Sequence, residues 1–141
     1  MLFKKEDEMY PIIRSYFQDQ GFKVVVDSPR GSGIFFRSLK GWNIDIAGMK
    51  KAPVLEVVAV EVKKDLGKSS ILDALSKAEM YRGVCNRTYI AFPNDVFNEA
   101  DNKEAAKEID ELCKRRGIGL FIVGKKCDEI INASTASLRI E

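Results

Sequence analysis

Two carboxylates and an amine, Asp45, Glu61 and Lys63, are the side chains of this chain whose types and spacing best suit chemistry. Glu61 and Lys63 end an otherwise apolar stretch, Val54-Leu55-Glu56-Val57-Val58-Ala59-Val60-Glu61-Val62-Lys63. Apolar residues at both alternating positions predict a strand buried on both sides within a sheet. Side chains alternate along a strand, so Glu61 and Lys63 project from the same face at its polar end. Asp45 lies in the preceding stretch, Trp42-Asn43-Ile44-Asp45-Ile46-Ala47-Gly48-Met49. A tight turn around Lys50-Lys51-Ala52-Pro53 folds the two into an antiparallel pair and brings Asp45 beside Glu61 and Lys63.

The chemistry follows from charge. Facing carboxylates repel and hold their protons more tightly unless a cation sits between them. Oxygen ligands suit Mg²⁺ or Mn²⁺, which keep several waters and use one or two carboxylates with a substrate phosphate. Water on such a cation becomes a nucleophile near neutral pH. An adjacent ammonium, Lys63, orients that water or offsets charge on a pentavalent phosphate. These components suit phosphodiester hydrolysis.

The spacing Asp45…Glu61-Val62-Lys63 resembles the PD-(D/E)XK nuclease superfamily, which includes many restriction enzymes and the archaeal Holliday-junction resolvases. The resemblance spans roughly residues 6–93. An amphipathic helix closing in Gly21-Phe22 comes first, then the strand Lys23-Val24-Val25-Val26 and the Ser/Gly-rich loop Asp27–Gly33. After the motif come a helix over about 70–84 and the strand Thr88–Pro93. This αβββαβ order is the family's core, and its Gly-Phe-strand-Ser-Gly opening is most similar to the resolvases. One departure is Ile44, where the family often has Pro before the first Asp. The resemblance implies an Mg²⁺- or Mn²⁺-dependent DNA endonuclease, with junction or branched DNA among its substrates. It also implies the Val62 carbonyl as a further metal ligand, and a homodimer that places two sites on a two-fold substrate. A glutamate early in the first helix completes the metal site in resolvase-like members; Glu8 stands closest to that place, with Glu6 and Asp7 as competitors.

Each feature has a plainer alternative. Glu-x-Lys is a common triplet, and Lys63 can neutralise Glu61 in an ion pair capping a strand end, with no metal. The acids at residues 6–8 suit the positive start of a helix by themselves. In the loop Asp27–Gly33, Ser28, Arg30 and Ser32 can donate to phosphate oxygens, yet Gly/Ser clusters are often only turns. Lys64 and Lys68 extend a basic rim from the motif, opposite Arg30, Arg37 and Lys40, although basic surface residues are usually just solvated. Trp42 reads as core.

Composition bounds these readings. A chain of 141 residues, 45% apolar and 31% charged, predicts one globular domain over 1–141 with a single core. No apolar run approaches a membrane span, and the start Met1–Glu8 lacks the apolar core of a signal peptide, so a cytoplasmic protein is expected. A net charge of +2 leaves any nucleic-acid footprint local. With no histidine, His-based acid–base catalysis, His-metal nuclease motifs and Ser-His-Asp triads are excluded. Cys85, Cys113 and Cys127 show no paired spacing, which excludes a zinc ribbon or a four-cysteine cluster within one chain and predicts reduced thiols.

The remaining elements complete an α/β fold. The first helix starts near Asp7 or Glu8, with Pro11 tolerated in its first turn, and presents Ile12, Ile13, Tyr16 and Phe17. The second presents Ile71, Leu75 and Ala78, with Ala74 and Tyr81 beside them. A third spans about 99–116, burying Ala105, Ile109 and Leu112; Lys114, Arg115 and Arg116 suit its negative end and Gly117 stops it. Ile118–Val123 reads as a buried strand, while the tail from Cys127 is ambiguous, with Ser137–Ile140 a candidate edge strand. The expectation is a mixed central sheet flanked by helices, the αβββαβ core extended by a C-terminal helix and strand. On it sits a metal-dependent DNA endonuclease, with RNA not excluded. A non-catalytic nucleic-acid-binding module and a structural or interaction domain stay open.

Overall fold

The apolar runs become six strands of one sheet in a computed structural model, which describes residues 2–26 and 44–135. The strands β1 (Lys23–Val26), β2 (Ile46–Lys50), β3 (Glu56–Val62), β4 (Arg87–Pro93), β5 (Gly119–Val123) and β6 (Cys127–Ile131) lie side by side in chain order. The pairs β3–β4 and β4–β5 are parallel, and the other three are antiparallel. Each parallel step needs a crossover, supplied by α2 (Lys68–Tyr81) and α4 (Lys103–Arg116). Both crossovers step the same way across the sheet, so with the usual hand both helices land on one face. There Ile71, Leu75 and Ile109 pack against Ile90, Phe92, Leu120 and Ile122. Against the opposite face lies α1 (Tyr10–Asp19), whose Ile13 and Phe17 meet Val58, Val60 and Val62.

The third strand is therefore interior and covered on both sides, as its unbroken apolar run requires. Val58, Val60 and Val62 face α1, whereas Val57 and Ala59 pack with Tyr81 and Cys85. By alternation Glu61 continues the second set, toward α2. The observed register, Ile46 opposite Val60 and Lys50 opposite Glu56, sets the start of β2 beside the polar end of β3. This is the expected α/β fold.

Several boundaries differ from expectation. Regular pairing in β2 begins at Ile46, because the Val62 N–H is taken by the Asp45 side chain. Pro11 lacks an N–H, and the chain before it makes a 3₁₀ turn, Glu6–Met9, so α1 proper starts at Tyr10. The second helix starts at Lys68 and stops at Tyr81, whose carbonyl accepts from the N–H groups of Val84 and Cys85 in a closing turn. The stretch expected as helix from 99 holds a 3₁₀ turn, Ala100–Asn102, before α4, and a short helix α3 (Asn94–Phe97) precedes it. Gly117 ends α4 in the left-handed region at φ 71°, as a helix-stopping glycine does.

An additional strand, β6, occupies part of the ambiguous tail. Its signal is masked because the inward position is Glu129, whose carboxylate accepts from the Tyr16 hydroxyl at 2.5 Å. A register shift opposite Leu120 and Phe121 then turns Ile131 to the other face. The candidate strand Ser137–Ile140 lies outside the described residues, as do Trp42 and the loop Asp27–Gly33. All three cysteines are free and buried, and burial pushes each thiol up to about 12, so they are inert. Among the described residues no helix is long and apolar enough to cross a membrane.

Candidate active site

Four elements converge on the polar end of β3, α1 among them through Tyr10. The strand itself supplies Glu61, with Lys63 immediately beyond it; the entry to β2 supplies Asp45; α2 supplies Asp73, Lys77 and Tyr81. The spacing of four along α2 stacks these last three on one helix face, over the sheet end that carries Glu61.

Asp45 is fixed on two sides. Its Oδ2 accepts from the Val62 N–H at 2.8 Å, and its carboxylate also accepts from the Tyr10 hydroxyl. One carboxylate thus ties β2 to β3 and α1 to both. Burial raises its pKa, against the lowering effect of the Val62 N–H, Tyr10, Lys77 and Lys63.

Glu61 is the stronger anomaly, a carboxylate only 2% exposed. Its Oε1 accepts from the Tyr81 hydroxyl at 2.9 Å. Its Oε2 lies 3.5 Å from the ammonium of Lys63 and 3.5 Å from that of Lys77. Burial first, and the neighbouring charge of Asp45 second, push its pKa up to about 7, although Lys77, Tyr81 and Lys63 pull the other way. Burial, helped by Asp45, thus outweighs the pull of the two ammoniums.

Lys63 is also bonded to Asp73 Oδ2 at 2.5 Å, and Lys77 lies 3.3 Å from the same oxygen. Burial alone would lower both ammonium pKa values; for Lys63 the bonds to Asp73 and Glu61, and for Lys77 those to Glu61 and Asp73, reverse the direction. The carboxyl of Asp73 is held low by its bond to Lys63. Both lysines are thus protonated at neutral pH.

The expected residues divide clearly. Asp45, Glu61, Val62 and Lys63 come together. Glu8 does not join them: its Oε1 accepts from the backbone N–H groups of Lys4 at 2.6 Å and Lys5 at 2.8 Å, capping the first turn. Those bonds, Lys5's first, hold its carboxyl below the usual range. Glu6, named above only as a competitor, is the acid that senses the site: burial raises its pKa, Lys63 lowers it, and Asp45 raises it again. Lys64 is exposed and edges a depression of about 450 Å³ with Leu66, Val96 and Asn102. Lys68 lines a different groove, about 670 Å³, between α2 and α4. Ser28, Arg30 and Ser32, with Arg37 and Lys40, lie outside the described residues.

Sequence reasoning missed Tyr10, Asp73, Lys77 and Tyr81 as site residues. The signal for the last three was present: polar residues at helical spacing interleaved with the apolar Ala74 and Ala78. For Tyr10 there was none, because a tyrosine on the buried face of a helix reads as core.

The donor set suits a hard divalent cation. It consists of one buried and one half-buried carboxylate, Glu61 and Asp45, both offering oxygen. Among the described residues no three His, Cys, Asp or Glu side chains are grouped to hold a metal by themselves. A cation here would complete its sphere with water and substrate phosphate, as Mg²⁺ ordinarily does. No protein-family model matches the chain, and no curated protein matches it by sequence.

Proposed function

We propose that this protein is an Mg²⁺- or Mn²⁺-dependent nuclease that hydrolyses phosphodiester bonds in DNA, on a PD-(D/E)XK-like site. The observation that carries this is the Asp45–Glu61 pair at the polar end of an interior strand, Glu61 buried and Asp45 half-buried, with both carboxyl pKa values raised chiefly by burial. A buried carboxylate with a raised pKa is costly to maintain, and such costs concentrate where chemistry is done.

The residues divide the work. Asp45 and Glu61, with the Val62 carbonyl, would hold the cation. Bound there, it supplies an acidified water and neutralises charge on the phosphate. The Tyr10 and Tyr81 hydroxyls and the Val62 N–H fix the orientation of the two carboxylates, so little reorganisation accompanies the reaction. Lys63 presents its ammonium beside Glu61, where it orients the attacking water or stabilises charge developing on phosphate oxygens. Lys64 lies exposed just beyond and extends a basic rim toward the strand. One site cuts one strand, so cutting both strands of a duplex or junction calls for a homodimer, as in the resolvases this chain resembles.

Calorimetry with Mn²⁺ on the wild type and on Asp45→Asn tests the site directly. Binding to the wild type and its loss in the variant are expected; indistinguishable traces would remove the metal site. Incubation with linear, forked and four-way-junction DNA and with RNA, in Mg²⁺, Mn²⁺ or EDTA, then reads the substrate class.

A second reading has its own observation. Glu61 Oε2 already has two ammonium partners and Oε1 a hydroxyl, which is how a closed structural ion cluster looks. Under that reading Mn²⁺ binds neither protein and DNA survives every condition.

A further inference from the structure

Lys63 and Lys77 share two oxygens, not one. Each ammonium lies 3.5 Å from Glu61 Oε2, and each also reaches Asp73 Oδ2, at 2.5 Å from Lys63 and 3.3 Å from Lys77. Exposure separates the two carboxylates: Glu61 is 2% exposed and Asp73 44%, with Lys63 at 14% and Lys77 at 34% between them. From the core outward the layers run fixed carboxylate, paired ammoniums, open carboxylate.

The two acids are held differently. Glu61 stands on an interior strand and is anchored again by Tyr81. Asp73 stands on a helix surface, and its carboxylate is bonded to the two lysines. Rotation about its own side-chain torsions carries that carboxylate into solvent without moving α2. An anionic oxygen in the fork of two ammoniums is what a phosphate group also offers, at the same contact distances.

We propose that Lys63 and Lys77 form a phosphate-binding subsite whose outer seat is occupied, in the absence of ligand, by the displaceable carboxylate of Asp73. The ligand class is a phosphate group, either a phosphodiester of a nucleic-acid strand or a free or terminal phosphate. On the nuclease reading, on which the assignment to a strand rests, this seat takes a phosphate beside the scissile one. Lys77 then becomes a substrate-binding residue, and Asp73 a competitor for the lysines and not their support.

Electrostatics fixes the direction of the test. Neutralising Asp73 frees both ammoniums and removes a like charge from the path of an anion, so binding tightens. If Asp73 instead served to aim the lysines, binding would weaken. Titrate wild type, Asp73→Asn and Asp73→Asn/Lys77→Gln in EDTA at constant ionic strength, with inorganic phosphate and separately with a short single-stranded oligonucleotide. Asp73→Asn should bind inorganic phosphate roughly threefold or more tightly, the scale of one partly exposed ion pair. Adding Lys77→Gln should cancel the gain. Equal or weaker binding by Asp73→Asn overturns the proposal, as does a gain that survives Lys77→Gln, or phosphate binding to neither protein. A gain for both probes supports a seat for a strand phosphate; a gain for inorganic phosphate alone supports a free or terminal one. None of these titrations requires cleavage, so a protein that cuts no nucleic acid sinks the nuclease reading while leaving the subsite to be judged separately.

Discussion

The third strand carries a glutamate at each end, and the two ends have become different things. At the start, Glu56 pairs with Arg87 of the neighbouring strand, and both side chains keep more than a quarter of their exposure. At the other end, Glu61 is almost fully buried among a second carboxylate, two ammoniums and a phenol. Glu56 is what an ion pair tying two strand ends together looks like: one partner, open water, no further demand. Glu61 has more partners than a tie needs and is still left with a raised pKa. The contrast separates a carboxylate used as a fastener from one that, on the proposed function, is held ready for a cation. It is open to experiment because the two are the same residue type on the same strand.

The largest expected effect lies at the buried end. On the proposed function, Glu61→Gln or Asp45→Asn should reduce DNA cleavage in Mg²⁺ by roughly a thousandfold or more, because a bound cation and its water would lower the barrier by several kcal/mol. Glu56→Gln should change the same rate by no more than a few-fold. Equal losses at both ends would mean that cleavage simply follows stability, and the distinction drawn between the ends would collapse.

Lys63→Ala sharpens the contrast within the site. The cleavage rate should fall by roughly a hundredfold or more, the scale of one preorganised electrostatic group. DNA affinity, measured in Ca²⁺ to block cutting, should move only a few-fold, because Lys77 still holds the phosphate seat and Lys63 acts mainly on the transition state. Wild-type cleavage by Lys63→Ala would make it a surface lysine. Lost binding with a surviving rate at saturation would move it from catalysis to the basic rim.

How far the two ends could be told apart from sequence depends on what each contact spans. Apolar runs and period-two alternation gave the strands β1 to β5 along the chain, the antiparallel pairing of β2 with β3, and hence Asp45 beside Glu61. Those signals are local or one hairpin long. The lysine-and-tyrosine side of the site comes from α2, and only the packing of that helix across β3 shows that Lys77 meets Glu61. Glu6 and Glu8 show the limit from the other side. They lie on one turn, and the choice between them rests on which side chain reaches back to the Lys4 and Lys5 amides. No spacing rule makes that choice. The sixth strand stayed hidden for a related reason, since Glu129 is an inward polar residue whose partner, Tyr16, is remote in sequence.

Next in size is a pH effect on stability in EDTA. Glu61, raised from an ordinary 4.5 to about 7, keeps its proton in the folded state where the unfolded chain has already lost it. The fold therefore binds the extra proton between those values. Its stability falls as pH rises from about 4.5 to 7, by an amount on the order of a few kcal/mol, and levels off above. Glu61→Gln should flatten that slope. Added Mn²⁺ should raise the urea midpoint more at pH 8 than at pH 5, because the cation competes with the proton. Equal slopes for wild type and Glu61→Gln would show that the carboxylate is not held under strain, and that the two ends of β3 differ less than their burial implies.

The smallest effect belongs to the open end. Glu56 and Arg87 join neighbouring strands, and both remain partly exposed, so water screens the pair and competes for both partners. A coupling energy of about 0.2–1 kcal/mol is expected from a double-mutant cycle of Glu56→Gln and Arg87→Gln in urea unfolding. Arg87 also lies over the Phe22 ring at 6.0 Å, so Arg87→Gln alone should cost more than Glu56→Gln alone. High salt should shrink the coupling, because exposed charges are screened within a Debye length. A coupling of several kcal/mol that persists in molar salt would mean that this pair, too, is effectively buried. Burial by itself would then no longer distinguish the end of β3 that fastens the sheet from the end that we assign to chemistry.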